Sequence, residues 1–288
     1  MDFIVQLAIY SAIASIAAVS LNYVVGFTGI MSISHASFYG IGAYGTALLL
    51  TKTGLSFVPA LLLGVLITGL VAAFASVPIL RLREDSLMLV SVGFALIIHS
   101  LMLNWQSLTN GPRGVKSIPR PEIFGISLTD KNFYLVLCLV LLVLTIIIFY
   151  KITKSPYGTV IKGIRENEEV MKNYGYNVSK YKHSVFVLGA IFAGLAGGLF
   201  ASYIQYISPE SFILLPSVFM LIMVILGGMG SIGGSIIGAI LITVIPELMR
   251  FAGLPSSFAA ESNQIVYGII LFALMYWRPQ GLFGKYKI

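Results

Sequence analysis

FIVQLAIYSAIASIAAVSLNYVVGFTGIMSISHASFYGIGAYGTALLLT, residues 3–51, is a stretch without a single Asp, Glu, Lys or Arg. In the whole chain of 288 residues, hydrophobic residues make up 58% and charged residues only 10%. One helical crossing of a hydrocarbon core of roughly 30 Å needs about 20 apolar residues, so this stretch alone is long enough for two crossings. The composition therefore predicts a polytopic membrane protein.

Further hydrophobic windows follow along the chain, and together they predict eight or nine spans. They are continuously apolar and lack the strict alternation of barrel strands, so we expect an all-α fold in one transmembrane domain, residues 1–288. The first window has no basic leader, and we expect it to remain as a helix and not to be a cleaved signal peptide. The windows are residues 3–25, 34–51, 57–80, 86–105, 132–150, 184–206, 212–226, 235–249 and 264–277.

The basic residues of alternate loops predict the orientation. One set of loops contains 12 of the 18 Lys and Arg residues, and the positive-inside rule predicts that it is cytoplasmic. The N-terminus is then outside, the C-terminus is cytoplasmic and the number of spans is odd. The net charge of +7 reflects this topology and contact with anionic lipid, and it does not indicate nucleic-acid binding. The majority set is Arg81, Arg83, seven residues between Lys151 and Lys182, Arg278, Lys285 and Lys287, and the minority set is Lys52, Arg113, Lys116, Arg120, Lys131 and Arg250.

The spans contain no charged residue near their centres, which disfavours a secondary transporter, and coordination of Na⁺ by backbone carbonyls is the alternative that stays open. The chain has no nucleotide-binding loop, no metal-ligand motif and no catalytic set, so we expect no metal, no cofactor and no enzymatic activity of its own. If transport is active, another subunit hydrolyses ATP. His35 and His99 are the titratable groups at depth, and we interpret them as helix–helix hydrogen-bonding groups in preference to a proton relay. An intramembrane enzyme, the alternative, would have to use them with nearby serines.

A polar segment, Lys151–His183, separates two hydrophobic windows. Ser155 is a good N-cap and Pro156 a good first helical residue, which predicts a short helix. A second turn or helix is expected through Arg165–Glu169, with Gly175 ending it. Two surface helices of this kind predict a docking surface for a partner, and the alternative is a solvated connector. The apolar face of the first helix contains Val160, Ile161 and Ile164.

Two segments rich in glycine and serine interrupt the apolar windows. The first predicts a broken or re-entrant helix that lines a polar path, with Ser32, Ser34, His35 and Ser37 as candidate path residues. Close helix packing is the other use of membrane glycine, and we favour it for Gly40, Gly42 and Gly45. The second segment, Gly227–Gly238, has similar spacing and suggests an internal pseudo-repeat, although chance similarity of small-residue segments is an alternative. Its candidate path residues are Gly227, Gly228 and Ser231.

Several motifs in chain order resemble the branched-chain amino acid, or LIV-type, permease family of ABC transporters. They cover nearly the whole chain, and the loop TNGPRGV at 109–115 followed by IP at 118–119 is similar to the M-type membrane subunit more than to its H-type partner. The motifs are GFTGIMSISHASFYGIGAY at 26–44, SPYG at 155–158, IRENE at 164–168 with Gly175, LGGMGSIGG at 226–234, and RPQGLFG at 278–284.

The resemblance implies a permease subunit of an importer in a bacterial or archaeal plasma membrane. It implies a second homologous permease, two cytoplasmic ATPase subunits that bind ATP, and an extracytoplasmic substrate-binding protein. The ATPase would dock on the loop at 151–183, where Val170 and Met171 replace the small alanines usual in the family. The implied coupling residues are Ser155, Pro156, Gly158, Ile164, Arg165, Glu166, Asn167, Glu168 and Gly175.

The external loop, residues 106–131, carries Arg113, Lys116 and Arg120, which are candidates to receive an acidic patch of the binding protein. Ordinary solvating charge is the alternative for these three residues. The resemblance implies leucine, isoleucine and valine as substrates, and a path with serines but no buried charge suits any small solute of little net charge. Urea, short amides and nucleosides therefore stay open for the same importer class, and a passive channel or facilitator stays open as another class.

Overall fold

The computed structural model describes residues 2–82, 84–123, 126–127, 130–251, 267–269, 272–273, 276–278 and 280–284. The fold is all-α, as predicted, apart from one short antiparallel hairpin. The first four helices are α1 (Asp2–Thr28), α2 (His35–Lys52), α3 (Phe57–Ile79) and α4 (Glu84–Asn104). They are followed by α5 (Gln106–Thr109), a 3₁₀ turn (Gly111–Arg113), β1 (Glu122–Ile123), β2 (Ile126–Ser127) and α6 (Lys131–Lys154). The remaining elements are α7 (Pro156–Glu166), α8 (Glu168–Asn173), α9 (Val178–Ile204), a 3₁₀ turn (Pro209–Phe212), α10 (Leu214–Gly227) and α11 (Ile232–Phe251).

Six helical segments among the described residues are long and apolar enough to cross a membrane, and a shorter apolar helix accompanies them. The segments are residues 2–28, 57–79, 86–104, 131–154, 178–204 and 209–227, and the shorter helix is residues 232–247. Helix α2 occupies the second predicted window. The ninth predicted window, residues 264–277, lies mostly outside the described residues, so the total of eight or nine spans stays a prediction.

Two helices extend further than the hydrophobic windows that predicted them. Helix α9 begins at Val178 and not near Ser184, because the Asn177 side chain caps it by accepting a hydrogen bond from the Lys180 N–H at 3.2 Å. Helix α6 continues to Lys154. The segment between these two helices is therefore residues 155–177, shorter than the predicted loop.

Helix α1 lies at the centre of the bundle, where it packs against α6, α7, α9, α10 and α11. Glycines allow the tightest crossings elsewhere, between α2, α3 and α9. A Cβ atom on Gly42 would lie 2.3 Å from the Gly194 Cα, and one on Gly45 would lie 3.1 Å from the Gly64 Cα. These contacts agree with the packing interpretation of Gly42 and Gly45.

The two ends of the bundle differ. At one end, which we call the α7 end, α3 and α9 meet through a 2.8 Å hydrogen bond between Ser76 Oγ and His183 Nδ1. At the other end, which we call the hairpin end, the Lys52 Nζ donates to the Ser107 carbonyl at 2.7 Å, beside the loop that carries the hairpin. The two predicted sets of basic loops therefore separate to opposite ends wherever their residues are described. The side of the membrane that each end faces stays a prediction.

Candidate translocation and coupling sites

The chain is not helical between α1 and α2, at residues 29–34, which we call the first break. Gly29 turns the chain with φ +77°, a conformation that side chains of L-residues rarely adopt. Helix α2 then begins at His35, whose Nε2 lies 2.8 Å from the Ser20 Oγ in the middle of α1. Ser20 lies eight residues before the end of α1, which corresponds to about 12 Å of helix. The chain of the first break therefore turns back toward the interior of the bundle. The predicted helix break is present, and its role in translocation stays a prediction.

Three of the predicted path residues lie buried in or just after the first break. Ser32 Oγ and Ser34 Oγ are 2.8 Å apart and share a hydrogen bond. Ser37 is 1% exposed, and its hydroxyl has no hydrogen-bond partner in the described part of the chain. An unpartnered buried hydroxyl is unfavourable, since it has given up its hydrogen bonds to water. The first break and the first turn of α2 therefore contain a compact group of hydroxyls, of which that of Ser37 has unused hydrogen-bonding capacity.

Two serines on other helices hold the backbone of the first break. The Ser91 Oγ of α4 accepts a hydrogen bond from the Ile33 N–H at 3.0 Å. The Ser217 Oγ of α10 accepts one from the Ala36 N–H at 2.9 Å, at the first turn of α2. An N-terminal helical N–H has no partner within its own helix, so Ser217 satisfies it from a distance in sequence. Sequence reasoning missed both serines, and a hydroxyl within an otherwise apolar window was the available signal.

The second break, residues 228–231, separates α10 from α11 and contains the predicted path residues Gly228 and Ser231. The Asn22 amide of α1 holds it at two points. Its Oδ1 accepts from the Gly230 N–H, and its Nδ2 donates to the Ser231 carbonyl, both at 2.9 Å. A Cβ atom on Gly26 would lie 1.6 Å from the Asn22 Oδ1, so only glycine fits there. Asn22 was not predicted from the sequence.

Residues 280–284, which we call the strap, pack on the second break on the side away from Asn22. The Leu282 and Phe283 N–H groups donate to the Leu226 and Gly227 carbonyls, both at 3.0 Å. Carbonyls at the end of a helix have no partner within the helix, so the strap satisfies them. A Cβ atom on Gly228 would lie 2.1 Å from the Gly284 backbone nitrogen. The two glycine-rich motifs, at 226–234 and 278–284, therefore pack against each other.

The two predicted surface helices are present as α7 and α8. The Ser155 Oγ accepts from the Gly158 N–H at 3.3 Å and Pro156 is the first residue of α7, so the predicted cap is confirmed. The predicted apolar face of α7, at residues 160, 161 and 164, is buried. Met171 of α8 packs beside Gly163, where a Cβ atom would lie 2.7 Å from the Met171 Sδ. Gly163 has no side chain, so the large Met171 side chain fits beside it. An alanine at position 171 would not need this space.

The second surface helix begins later than predicted. Helix α7 continues through Arg165 to Glu166, and α8 begins at Glu168 instead of at Arg165. The reason is Asn167, whose backbone is extended and whose side chain accepts from the Val170 N–H at 3.1 Å, which caps α8. Gly175 follows α8 with φ +85°, so its predicted place after the end of this helix is confirmed.

Glu168 binds two lysines and ties α8 to α9. Lys172, one turn further along α8, lies 2.8 Å from a Glu168 carboxylate oxygen, and Lys182 of α9 contacts the other oxygen. Burial alone would raise the pKa of Glu168, but the hydrogen bonds and charges of the two lysines outweigh it and hold that pKa below its ordinary value. The hydrogen bond to Glu168 in turn raises the pKa of Lys172.

Helix α7 lies directly against the first break. A Cβ atom on Gly29 would lie 3.2 Å from the Arg165 Cγ, so the Arg165 stem packs on the turn where the first break begins. Lys162 donates to the Thr153 carbonyl at 2.7 Å and lies 5.9 Å from the centre of the Phe27 ring, in the last turn of α1. The opposite surface of α7 and α8 is exposed. It includes Glu166, Asn167, Glu169, Val170 and Tyr174.

The three predicted docking cations lie at the hairpin end but do not form one group. Arg113 and Lys116 are exposed and line one open cavity of about 780 Å³. Arg120 lines a different cavity with Lys131, and its Nε donates to the Gln205 Oε1 at 3.4 Å. The hairpin-end loop is fixed to the end of α9 by paired main-chain bonds between Val115 and Ile207.

The described residues contain no cluster of three or more His, Cys, Asp or Glu side chains that could hold a metal ion. His35 binds Ser20, in keeping with the helix–helix interpretation of this residue. His99 is on a different helix, α4, and its Nε2 has no hydrogen-bond partner in the described ranges. Within the described residues, no hydrogen bond joins the two histidines.

Comparison with known proteins gives a match along nearly the whole chain. A family model described as branched-chain amino acid transport system / permease component matches residues 3–275. The high-affinity branched-chain amino acid transport system permease protein LivM of Salmonella typhimurium is 35% identical over 301 residues, which cover 96% of this chain and 69% of the relative. The protein of the same name from Escherichia coli has the same identity and coverage.

The permease protein LivH of Escherichia coli is a more distant relative. It is 24% identical over 291 residues, which cover 94% of this chain and 91% of the relative. No solved protein structure matches the chain. The higher identity to these two LivM proteins agrees with the M-type resemblance of residues 109–115. The chain belongs to the family of branched-chain amino acid transport permease components, and it is of the M type.

Proposed function

We propose that the chain is one of two permease subunits of an ATP-driven importer for leucine, isoleucine and valine. Two ATPase subunits dock on α7 and α8 from the cytoplasm, and a substrate-binding protein delivers the amino acid at the hairpin end. This orientation places the N-terminus outside, in line with the basic residues that collect at the α7 end. The chain does no covalent chemistry, and it converts movement of the ATPases into opening and closing of a path.

The packing of Arg165 on Gly29 is the observation that carries this proposal. The exposed face of α7 and α8 is available to a partner, while the buried face touches the start of the first break. The first break in turn leads to His35 and to the hydroxyls of Ser32, Ser34 and Ser37. A displacement of α7 by a few ångströms therefore acts directly on the first break.

The names of the relatives support the proposed substrates. Eight relatives, all LivM or LivH proteins, are named as permease proteins for branched-chain amino acids, and the match to the LivM proteins of Salmonella typhimurium and Escherichia coli covers 96% of this chain. The buried hydroxyls of the first break offer neutral hydrogen-bonding groups to a small solute with little net charge. The amino acid zwitterion meets this description.

The test is purification of the tagged protein from its host in mild detergent, followed by reconstitution of everything that co-purifies. The proposal predicts an ATPase and a second permease in the preparation, and uptake of leucine into proteoliposomes that needs both ATP and the binding protein. Uptake of urea or nucleosides, with none of leucine, would keep the importer and overturn the proposed substrate. A chain that purifies alone as an oligomer and equilibrates solute without ATP would show a passive channel instead.

A paired substitution tests the coupling role. Arg165→Ala with Glu166→Ala removes the contact with Gly29 and one exposed charge of α7, and we expect uptake to fall several-fold with membrane insertion unchanged. The matched control is Ser179→Ala with Lys180→Ala, two exposed residues in the first turn of α9 at the same end of the bundle. Normal ATP-driven uptake in the Arg165 and Glu166 variant would contradict the proposal.

A further inference from the structure

A cavity at the hairpin end places two cationic side chains over a polar floor. It has a volume of about 250 Å³ and lies between the beginning of α1, the beginning of α6, the end of α9 and the loop before β1. Arg120 and Lys131 supply the positive charge, and Gln6, Tyr10 and Tyr203 supply polar groups. The rings of Tyr10 and Tyr203 pack edge to face, with their centres 5.4 Å apart, and form one wall.

A second cavity adjoins the first and contains a carboxylate. It has a volume of about 300 Å³, and Gln6 and Tyr10 line it as well as the first. Its charged residue is Glu247, half-buried near the end of α11. Gln6 and Tyr10 are four residues apart and therefore occupy one face of α1, one turn apart. Two cations and one carboxylate thus face the same short stretch of α1 from two sides.

An apolar groove begins beside the second cavity and follows α1 along the outer surface of the bundle. It has a volume of about 340 Å³, shares Leu7 with the second cavity, and runs between α1, α6 and α11. Ile240, Val244 and Glu247 follow one another at helical spacing, so one face of α11 is charged at the mouth and aliphatic further in. Leu139 and Leu142 of α6 complete the aliphatic wall.

We propose that these connected cavities are a reception site for the zwitterion of an aliphatic amino acid. Arg120 and Lys131 bind its carboxylate, Glu247 binds its ammonium group, and the groove beside Val244 takes its side chain. Charge-assisted hydrogen bonds are the strong ones, and a site with both signs rejects molecules that carry only one of them. This inference rests on the proposed function, because delivery from outside requires the hairpin end to face the binding protein.

In this proposal the three external cationic residues have two different roles. Arg113 and Lys116 face their own open cavity and remain candidates for contact with the binding protein. Arg120 instead faces Lys131 and Tyr203 in the first cavity. Leucine released by the binding protein would meet the mixed-charge mouth first, and the aliphatic groove would then select for its side chain.

The experiment is equilibrium binding of radiolabelled leucine to the purified transporter complex in lipid nanodiscs, without the binding protein. Two competitors each lack one charge: 4-methylpentanoate has no ammonium group and leucinol has no carboxylate. Each competitor lacks one charge-assisted hydrogen bond. We therefore expect each to displace radiolabelled leucine only at a concentration at least about tenfold higher than unlabelled leucine needs. This result needs no variant, so it stands even if a substitution prevents folding.

Two variants then assign the charges. Glu247→Gln should weaken leucine binding about tenfold and leave the binding of 4-methylpentanoate unchanged. Arg120→Gln with Lys131→Gln should weaken the binding of leucine and of 4-methylpentanoate and leave the binding of leucinol unchanged. A purely structural defect would change all three ligands together. Arg113→Gln, on the neighbouring cavity, is the control and should change none.

Three results would overturn the reception site. The first is no leucine binding by the intact complex, and the second is equal leucine binding in all variants. The third is native mass spectrometry that finds phosphatidylethanolamine at this place, together with leucine uptake that Glu247→Gln does not change. ATP-driven leucine uptake by the wild-type complex is measured in the same preparation. If that uptake is normal while the site tests fail, only the reception site is wrong, and if it is absent, the proposed function itself is wrong.

Discussion

The two helix breaks beside α1 are held in different ways, although both contain glycine and serine and both were predicted from similar sequence patterns. The first break is held by single hydroxyl contacts from three helices, through Ser20, Ser91 and Ser217. The second break is held by both ends of the Asn22 amide and by the main chain of the strap. The first break also packs against α7, through Gly29.

This difference teaches which of the two breaks is suited to move. Hydroxyl contacts can exchange one at a time, and Ser37 offers an unused hydroxyl as an alternative partner. A bidentate amide with a main-chain strap must release several hydrogen bonds together. We therefore expect the second break to act as a fixed support and the first break to respond to α7.

The largest effect is expected from Asn22→Ala. It removes the partner of the buried Gly230 N–H and one partner of the Ser231 carbonyl, so the free energy of unfolding should fall by about 2–3 kcal/mol. The matched change in the first break, Ser20→Ala, removes one contact between helices, with His35, and one bond to the Ala17 carbonyl of its own helix, and should cost only about 1 kcal/mol. Thermal unfolding in detergent measures both changes, with the exposed Asn104→Ala as a control near zero. Equal losses for Asn22→Ala and Ser20→Ala would contradict the difference between the breaks.

The next effect separates backbone strain from coupling. Gly29 and Gly54 both have positive φ, at +77° and +65°, so alanine at either should cost about 1–2 kcal/mol of stability. Gly54 has open space around it at the end of α2, whereas Gly29 faces Arg165. We expect uptake per ATP hydrolysed, measured in proteoliposomes, to fall only in Gly29→Ala. Equal transport losses in both variants would show that strain alone, and not contact with α7, determines the result.

The smallest effect concerns the attachment of α8 to α9. Glu168 has a lowered pKa, so its ion pairs stabilise the fold above its ordinary value of 4.5, and this stability is lost as the pH falls through the lowered value. Glu168→Gln should therefore lower the melting temperature slightly at pH 7, by the equivalent of less than about 1 kcal/mol, and lower it by less at pH 3. Glu169→Gln, at the exposed neighbouring carboxylate, is the control. A loss from Glu168→Gln that is the same at both pH values would contradict the ion-pair account.

Local features of the α7–α8 segment were predictable from sequence because their causes lie within a few residues. Ser155, Pro156 and Gly175 act on backbone groups close to them in the chain, and all three were placed correctly. The start of α8 was placed at Arg165 instead of Glu168, because the capping side chain of Asn167 was not recognised. Class, span positions and the break after α1 followed from hydropathy and glycine content.

The long-range contacts were not predictable from one sequence. Asn22 and Gly230 are separated by 208 residues, and nothing near either residue indicates the other. Neighbouring sequence likewise does not predict the hydrogen bond between Ser217 and Ala36, or the cavity that Glu247 shares with the first turns of α1. Arg120 was grouped with Arg113 and Lys116 by position in the loop, and only the fold shows that it faces another cavity.

The most direct test of the central claim is site-specific photo-crosslinking of the α8 surface in the living host. Tyr174 is 76% exposed after α8, and Phe74 is 78% exposed on the apolar surface of α3, so the two positions are equally accessible in the isolated chain. A benzoyl-phenylalanine at residue 174 should crosslink to a protein that mass spectrometry identifies as an ATPase with a nucleotide-binding loop. The same group at residue 74 should not. Absence of an ATPase adduct at residue 174 in cells that import leucine would contradict docking on α7 and α8.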